Sequence, residues 1–329
     1  FLSSMSMAFI SQSVRAQTCC SAGAPITSAF DIGSSNQRSW AFQLDYEYNS
    51  VNLLIENNRK LENDPRRRNG HNVLFKTDFA LNKHWAFSAF LPLVIQNRTT
   101  LSDRESARGV GDLTLLSQYT HYPWTDTELK FSGGFKLPTG AQFIADDRGI
   151  NLSPDMQSGS GTVDFIGRIA VVRHHAFIRN LTNQTALSYR YNTTNDNFGD
   201  PDGNNGRQFK FGNETQLSST FAYAFVSKLG FIVPELGIQL RHATPNEEQG
   251  GDAPNSGGYW LRMPFGLQVK PTQQFSVRAF GEIPIKQYLE GLQITTDYRL
   301  GIQLRYVFTA GKSTESLPGL PSSWPSPTE

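Results

Sequence analysis

The chain has 329 residues, of which 38% are hydrophobic and 12% aromatic, and its net charge is +1 from 30 Lys and Arg against 29 Asp and Glu. This balance provides no broad basic field, so we expect no nucleic-acid partner. The sequence has no uninterrupted run of about 18 apolar residues, and we expect no transmembrane helix. A closed antiparallel barrel needs apolar residues only at alternate positions, so this composition is compatible with one.

Residues 1–16 are predicted to be the remnant of a signal peptide, with a disordered leader as the alternative. Their apolar core contains Leu2, Met5 and Phe9, and Val14 and Ala16 place small residues before a cleavage point. Residues 17–37 are interpreted as a periplasmic N-terminal segment. Cys19 and Cys20 are adjacent and too few for a metal site or a disulfide framework, which leaves a vicinal disulfide or a bridge to a partner.

From Trp40 onward, short segments alternate apolar and polar residues, as strands with one apolar face do. The predicted strands are Trp40–Tyr48, Val73–Leu81, Trp85–Ile95, Leu113–His121, Leu129–Leu137, Val163–Val171, Thr185–Tyr191, Phe209–Tyr223, Leu229–His242, Tyr259–Val269, Phe275–Ile283 and Tyr298–Phe308. Twelve is an even number, as a single-chain outer-membrane barrel requires. The pattern predicts an all-β, transmembrane, up-and-down antiparallel β-barrel of about 12 strands within residues 38–308, with ten or fourteen strands left open.

The last strand shows the pattern most clearly. Tyr298, Leu300 and Ile302 begin one face, while Arg299 and Gln303 lie on the other. The apolar face is expected to contact outer-membrane lipid, and outward Trp and Tyr rings are expected at the two headgroup levels. We also expect the assembly machinery of the outer membrane to bind the Tyr298–Phe308 strand.

The connections alternate in length along the chain. Long ones are predicted at 49–71, 97–108, 138–161, 193–206, 243–257 and 286–295, and short ones near 82–84, 122–126, 174–181, 224–228 and 270–274. In outer-membrane barrels the long loops face outside the cell. We therefore expect the protein in the outer membrane of a Gram-negative bacterium. The 309–329 tail is rich in Gly, Ser and Pro and is predicted to be disordered.

Three short motifs occur at strand ends in the middle of the chain. Gly109-Val110-Gly111-Asp112 opens one strand, Lys136-Leu137-Pro138-Thr139-Gly140 closes the next, and Gly159-Ser160-Gly161 precedes a third. With these motifs, the chain resembles the outer-membrane transporter family named for the MetA pathway of phenol degradation, over roughly Trp40–Phe308. The resemblance implies an outer-membrane channel and hints at aromatic substrates. From the residues alone, Gly109, Gly111, Pro138, Gly140 and Gly161 form a rim motif that either aims 138–161 into the lumen or makes rim turns only.

Charged residues of both signs occupy the alternate strand positions that are predicted to face the interior of the barrel. The candidate lumen or constriction residues are Asp112, Lys136, Asp164, Arg168, Arg190, Arg241, Arg262, Arg278, Glu282 and Arg299. Opposite charges there either form a plug of salt bridges or line a narrow wet path for polar or anionic solutes.

We interpret the chain as a channel for passive uptake of a small solute. The alternative is a structural or adhesion barrel with an occluded lumen and partner-binding loops. No His-x-Ser pair occurs on any predicted strand, so we expect no enzyme activity, and no motif indicates a cofactor or a metal.

Overall fold

The computed structural model describes residues 38–62, 64–200 and 206–309. The predicted signal peptide (1–16), the N-terminal segment (17–37) with Cys19 and Cys20, and residues 310–329 of the predicted tail lie outside these ranges. No helix within the described residues is long and apolar enough to span a membrane.

The described chain is built almost entirely from β-strands and has one short 3₁₀ helix, Pro154–Met156. The strands are β1 (Ser39–Val51), β2 (Leu53–Asn57), β3 (Arg59–Leu61), β4 (Arg67–Ala80), β5 (Trp85–Thr99), β6 (Arg104–Val110), β7 (Leu113–Trp124), β8 (Thr127–Leu137), β9 (Asp164–Arg173), β10 (Leu181–Tyr191), β11 (Asn195–Phe198), β12 (Arg207–Lys210), β13 (Glu214–Tyr223), β14 (Phe225–Ser227), β15 (Gly230–Ala243), β16 (Glu247–Glu248), β17 (Gly251–Asp252), β18 (Gly258–Lys270), β19 (Phe275–Thr295) and β20 (Tyr298–Thr309).

Twelve of these strands pair in sequence order, each antiparallel to its neighbours, and close into a barrel. They are β1, β4, β5, β7, β8, β9, β10, β13, β15, β18, β19 and β20. The first and last strands close the ring, with Trp40 opposite Phe308 and Leu44 opposite Leu304. The predicted fold class and strand number are therefore confirmed.

Side-chain burial alternates along the barrel strands. On β1, Phe42 is 52% and Leu44 39% exposed, while Asp45 and Glu47 are 0% and 2% exposed. A soluble protein would bury the apolar face, whereas here the apolar face lies outside and the charged face inside. This inversion is the pattern of a barrel whose surrounding medium is hydrocarbon.

The predicted strand Phe209–Tyr223 is wrong as a single element. It is two strands, β12 and β13, because the chain leaves the barrel at Phe211–Asn213. A Cβ on Gly212 would collide with the carbonyl oxygen of Thr244, so only glycine fits this crossing. β12 then joins β11, β16 and β17 in a separate four-stranded sheet at the long-loop end, around Phe198, Phe209 and Phe211.

Several predicted long loops also contain strand. The 97–108 segment holds the end of β5 and most of β6, which pair with each other. The 286–295 segment continues β19, which pairs with β2 after a bulge at Leu289–Leu292, where Gly291 has φ +72°. These strands therefore lengthen the barrel wall at the end that carries the long connections.

Candidate functional site

An apolar band crosses the interior of the barrel. Leu74, Phe90, Leu116 and Ile166 are buried on the inner faces of β4, β5, β7 and β9, and Phe280 from β19 packs against them. Gly134 of β8 makes room for this band, because a Cβ there would lie 2.8 Å from Cδ2 of Leu116. The interior therefore contains a packed apolar cluster beside its charged groups.

The segment 138–163 is fastened to the inner rim by a buried ionic cluster. Lys136 Nζ lies 2.6 Å from Asp164 Oδ2 and 3.4 Å from Asp112 Oδ2. Asp112 also accepts hydrogen bonds from the backbone N–H of Gly140 at 2.9 Å and from the N–H and hydroxyl of Ser160, both at 2.8 Å. Of the predicted site residues, the structure thus brings Asp112, Lys136 and Asp164 together.

Close contacts and backbone conformation explain the glycines of the rim motif. A Cβ on Gly140 would lie 2.7 Å from Cα of Gly159, and one on Gly111 would lie 2.7 Å from Cγ of Pro92. A Cβ on Gly109 would meet Ser158 at 2.9 Å, and Gly161 has φ +74°. These four positions let the segment lie directly against the wall. Pro138, the remaining residue of the motif, is exposed and takes no part in this packing.

A second attachment holds the same segment at Asp155. Arg68 of β4 and Arg98 of β5 bind the carboxylate of Asp155, at 2.6 Å and 3.3 Å. Met156, next to it, is fully buried in a cluster with Ala107 and Leu152. The segment 138–163 therefore packs into the barrel mouth rather than forming rim turns only.

Sequence reasoning missed this second attachment. Arg68, Arg98 and Asp155 lie in segments that the sequence predicts to be loops. In a loop, the alternation of residues does not predict which way a side chain points. The one available signal was the charge complementarity of two arginines and one aspartate.

The opposite wall carries a further pair of predicted residues. Arg190 Nη2 and Arg241 Nη2 bind the same oxygen of Glu214, at 2.6 Å and 2.5 Å. The Arg241 guanidinium also lies 4.6 Å from the centre of the Trp260 ring, which is fully buried. Ile55 of β2 and Leu289 of β19 pack in the same cluster as Trp260. These contacts fill the mouth on the side opposite segment 138–163.

A chain of ion pairs lies on the inner face of the barrel, between the Trp260 cluster and β4. Glu282 contacts Arg262 at 3.0 Å and Arg299 at 3.5 Å, and Arg299 also lies 3.4 Å from Glu47. Each of the four strands involved contributes one residue, so this cluster ties β18, β19, β20 and β1 together from inside.

Arg278 and Arg168 complete the predicted set. Arg278 pairs with Glu235 at 2.7 Å, and its guanidinium lies 5.2 Å from the centre of the Phe280 ring. Arg168 is buried on the inner face of β9, opposite Ser132 and Ser188 in the register. All ten predicted lumen residues are therefore found at the interior, in separate clusters rather than in a single ring.

The tip of segment 138–163 is ordered by its own turn. The backbone N–H of Ile150 donates to the Asp146 carboxylate at 2.9 Å and lowers the pKa of Asp146, together with the bonds from Arg148. Ala145 and Asn151 form a β-bridge across this turn.

A closed antiparallel barrel with an apolar exterior and a charged interior defines the class of outer-membrane β-barrel proteins. Residues 65–298 match the family described as "Putative MetA-pathway of phenol degradation". Since the match spans well over half of the chain, the protein belongs to this family.

One solved structure shares this fold. The chain is similar to an outer membrane channel from Pseudomonas putida F1, with 15% identity and a TM-score of 0.69 over 85% of this chain and 98% of that one. The β domain of the Bordetella autotransporter BrkA is 11% identical, with a TM-score of 0.48 over 83% of this chain and 100% of that one. No curated protein matches the sequence. At such identities the similarity concerns the fold alone.

Proposed function

We propose that this protein is a passive channel in the outer membrane of a Gram-negative bacterium, and that its solute is a small aromatic molecule of the phenol type. The observation that carries the proposal is the amphipathic interior. The apolar band with Phe90 and Phe280 lies beside Arg278, whose guanidinium contacts the Phe280 ring. A phenolic solute has the same two parts, a flat apolar ring and a polar hydroxyl group.

The family description supports the same solute class, since it refers to phenol degradation. The packed segment 138–163 and the Trp260 cluster narrow the mouth, which favours a small solute over an oligomeric one. Charged walls close to the passage disfavour long acyl chains, because burying an alkyl chain against paired charges gains little hydrophobic stabilisation.

The test is solute flux into proteoliposomes that contain the purified full chain. We expect catechol to enter faster than arabinose, a sugar of similar size. Phe280→Leu keeps an apolar side chain and removes the ring, and it should reduce the catechol-to-arabinose ratio about threefold, as the loss of one aromatic contact predicts. Phe87→Leu, on the lipid-facing surface, is the matched control and should leave the ratio unchanged. Equal entry of both solutes, with no effect of Phe280→Leu, would refute the aromatic selectivity.

A structural or adhesion barrel is the second candidate, and the filled mouth favours it. Such a barrel predicts no entry of either solute, together with loss of partner binding when the long loops are exchanged. The flux measurement therefore separates the two candidates.

A further inference from the structure

The outer wall carries a cationic patch on β4 and β6, next to the lipid-facing apolar side chains. The register of β4, β5 and β6 arranges its outward residues in rows across the three strands. Val73, Leu93 and Val110 form the last apolar row, and the next row contains His71, Ile95 and Arg108. Above these come Asn69, Asn97 and Ser106, and then Arg67, Thr99 and Arg104.

The position of these rows relative to the bilayer follows from strand geometry. Successive rows are two residues apart, about 6.8 Å along an antiparallel strand. Arg108 therefore lies one row above the apolar belt, and Arg67 and Arg104 lie about 14 Å further along the strands. The three guanidinium groups thus face outward over the height at which lipid headgroups adjoin a barrel.

The arginines on β6 are available to a ligand. Arg104 and Arg108 are exposed, and neither forms a hydrogen bond or an ion pair with the residues that the structure describes. The acidic residues on either side of Arg104 are engaged elsewhere, since Asp103 binds Arg148 and Glu105 binds Arg98 on the inner face.

The remaining groups of the patch form a polar surface. The Arg67 guanidinium donates to the backbone carbonyls of Asp64 and Arg66, while the Asp64 carboxylate binds Arg66. Asn97 Nδ2 donates to Asn69 Oδ1 at 3.0 Å, and the Ser106 hydroxyl donates to Asn97 Oδ1 at 3.0 Å. This row of fixed amide and hydroxyl groups between the arginines suits the sugar oxygens of a headgroup.

We propose that Arg67, Arg104 and Arg108 bind the phosphate groups of a phosphorylated glycolipid in the outer leaflet. Arginine is the side chain best suited to bind phosphate, through two parallel N–H donors. Arg108 meets a phosphate near the acyl chains, and Arg67 and Arg104 meet one in the outer part of the headgroup. The proposal rests on the outer-membrane location proposed above, and it concerns the outer wall, not the lumen.

The experiment is a native mass spectrometry titration of the detergent-solubilised full chain. The lipids are bisphosphorylated lipid A, the same lipid without its phosphates, and phosphatidylglycerol. We expect the wild-type chain to bind the bisphosphorylated form about tenfold more tightly than the dephosphorylated one, as two charge-assisted contacts predict. The double variant Arg104→Gln/Arg108→Gln should lose this preference.

The matched control is Arg173→Gln/Lys228→Gln, which removes two exposed charges at the short-turn end. This control should keep the preference. Heat-modifiable mobility in gel electrophoresis should show that both double variants are folded. Equal affinity of the wild type and the β6 variant for the bisphosphorylated lipid would overturn the proposal. Competition by millimolar inorganic phosphate, or equal binding of phosphatidylglycerol, would overturn the assignment to this headgroup. Because catechol flux is measured separately, failure of this proposal leaves the channel proposal distinguishable from it.

Discussion

Lys136 is buried between two carboxylates, and one of them, Asp112, also accepts three hydrogen bonds from segment 138–163. Removing one partner of a buried ion pair is costly because the remaining charge and donors lose their compensation. Asp112→Ala should therefore lower the free energy of unfolding by about 3–5 kcal/mol. It should also increase hydrogen exchange at residues 139–162, measured on the chain in lipid vesicles.

Asp103→Ala provides the matched control for this prediction. Asp103 pairs with Arg148, and both side chains are largely exposed, at 49% and 64%. Its removal should change the free energy of unfolding by less than about 0.5 kcal/mol. If Asp112→Ala were as mild as this control, the ionic cluster would not be what fastens segment 138–163.

At the level of residues, the alternation of the sequence predicts which side chains face inward within the barrel. Outside the barrel it predicts few of the contacts. It placed Arg262, Glu282 and Arg299 on the inner face, where the structure finds them paired. It could not assign Arg68 or Asp155, because their positions depend on how segment 138–163 folds back onto β4. Contacts of this kind join residues far apart in sequence, and no local period encodes them.

Among the elements, the hairpin of β2 and β3 closes one side of the mouth. Ile55 of β2 packs with Trp260 and Leu289, which are fully buried. Ile55→Ala should lower the free energy of unfolding by about 2–4 kcal/mol, as expected for a buried isoleucine. It should also increase hydrogen exchange at residues 286–295 of β19, the pairing partner of β2. Leu101→Ala, at a side chain that is 75% exposed, is the control and should have no effect on either quantity. Unchanged exchange in Ile55→Ala would show that the hairpin does not stabilise the mouth.

The parts of the barrel wall beyond the membrane explain where the strand predictions were wrong. The β6 segment Arg104-Glu105-Ser106-Ala107-Arg108 is polar on both faces, and Lys286–Gly291 of β19 mixes charges with a glycine. Hydrocarbon selects apolar residues on one face only where a strand crosses the membrane. Beyond the bilayer that selection stops, so the alternation fades although the hydrogen bonding of the strands continues.

On the scale of the whole molecule, the barrel wall separates hydrocarbon from a charged interior. Introducing a charge should therefore destabilise the protein to different degrees at two adjacent residues of one strand. Leu304 faces outward in mid-strand, opposite Leu44, whereas Gln303 faces inward, opposite Asp45. Leu304→Arg should lower the free energy of unfolding in phospholipid vesicles by about 2–4 kcal/mol. Gln303→Arg should cost much less, because a carboxylate faces it. Similar effects of both substitutions in a denaturant titration would contradict the assignment of the two faces.

We propose that the barrel conducts and that segment 138–163 narrows its mouth. Residues 141 and 159 lie close together, with the Gly159 N–H 2.8 Å from the Ala141 carbonyl oxygen, so residues 142–157 can be replaced by two glycines. Single-channel conductance in planar bilayers is the direct measurement. We predict a small conductance for the full chain and a severalfold larger one for the shortened chain. Absence of current from both folded proteins would contradict the account.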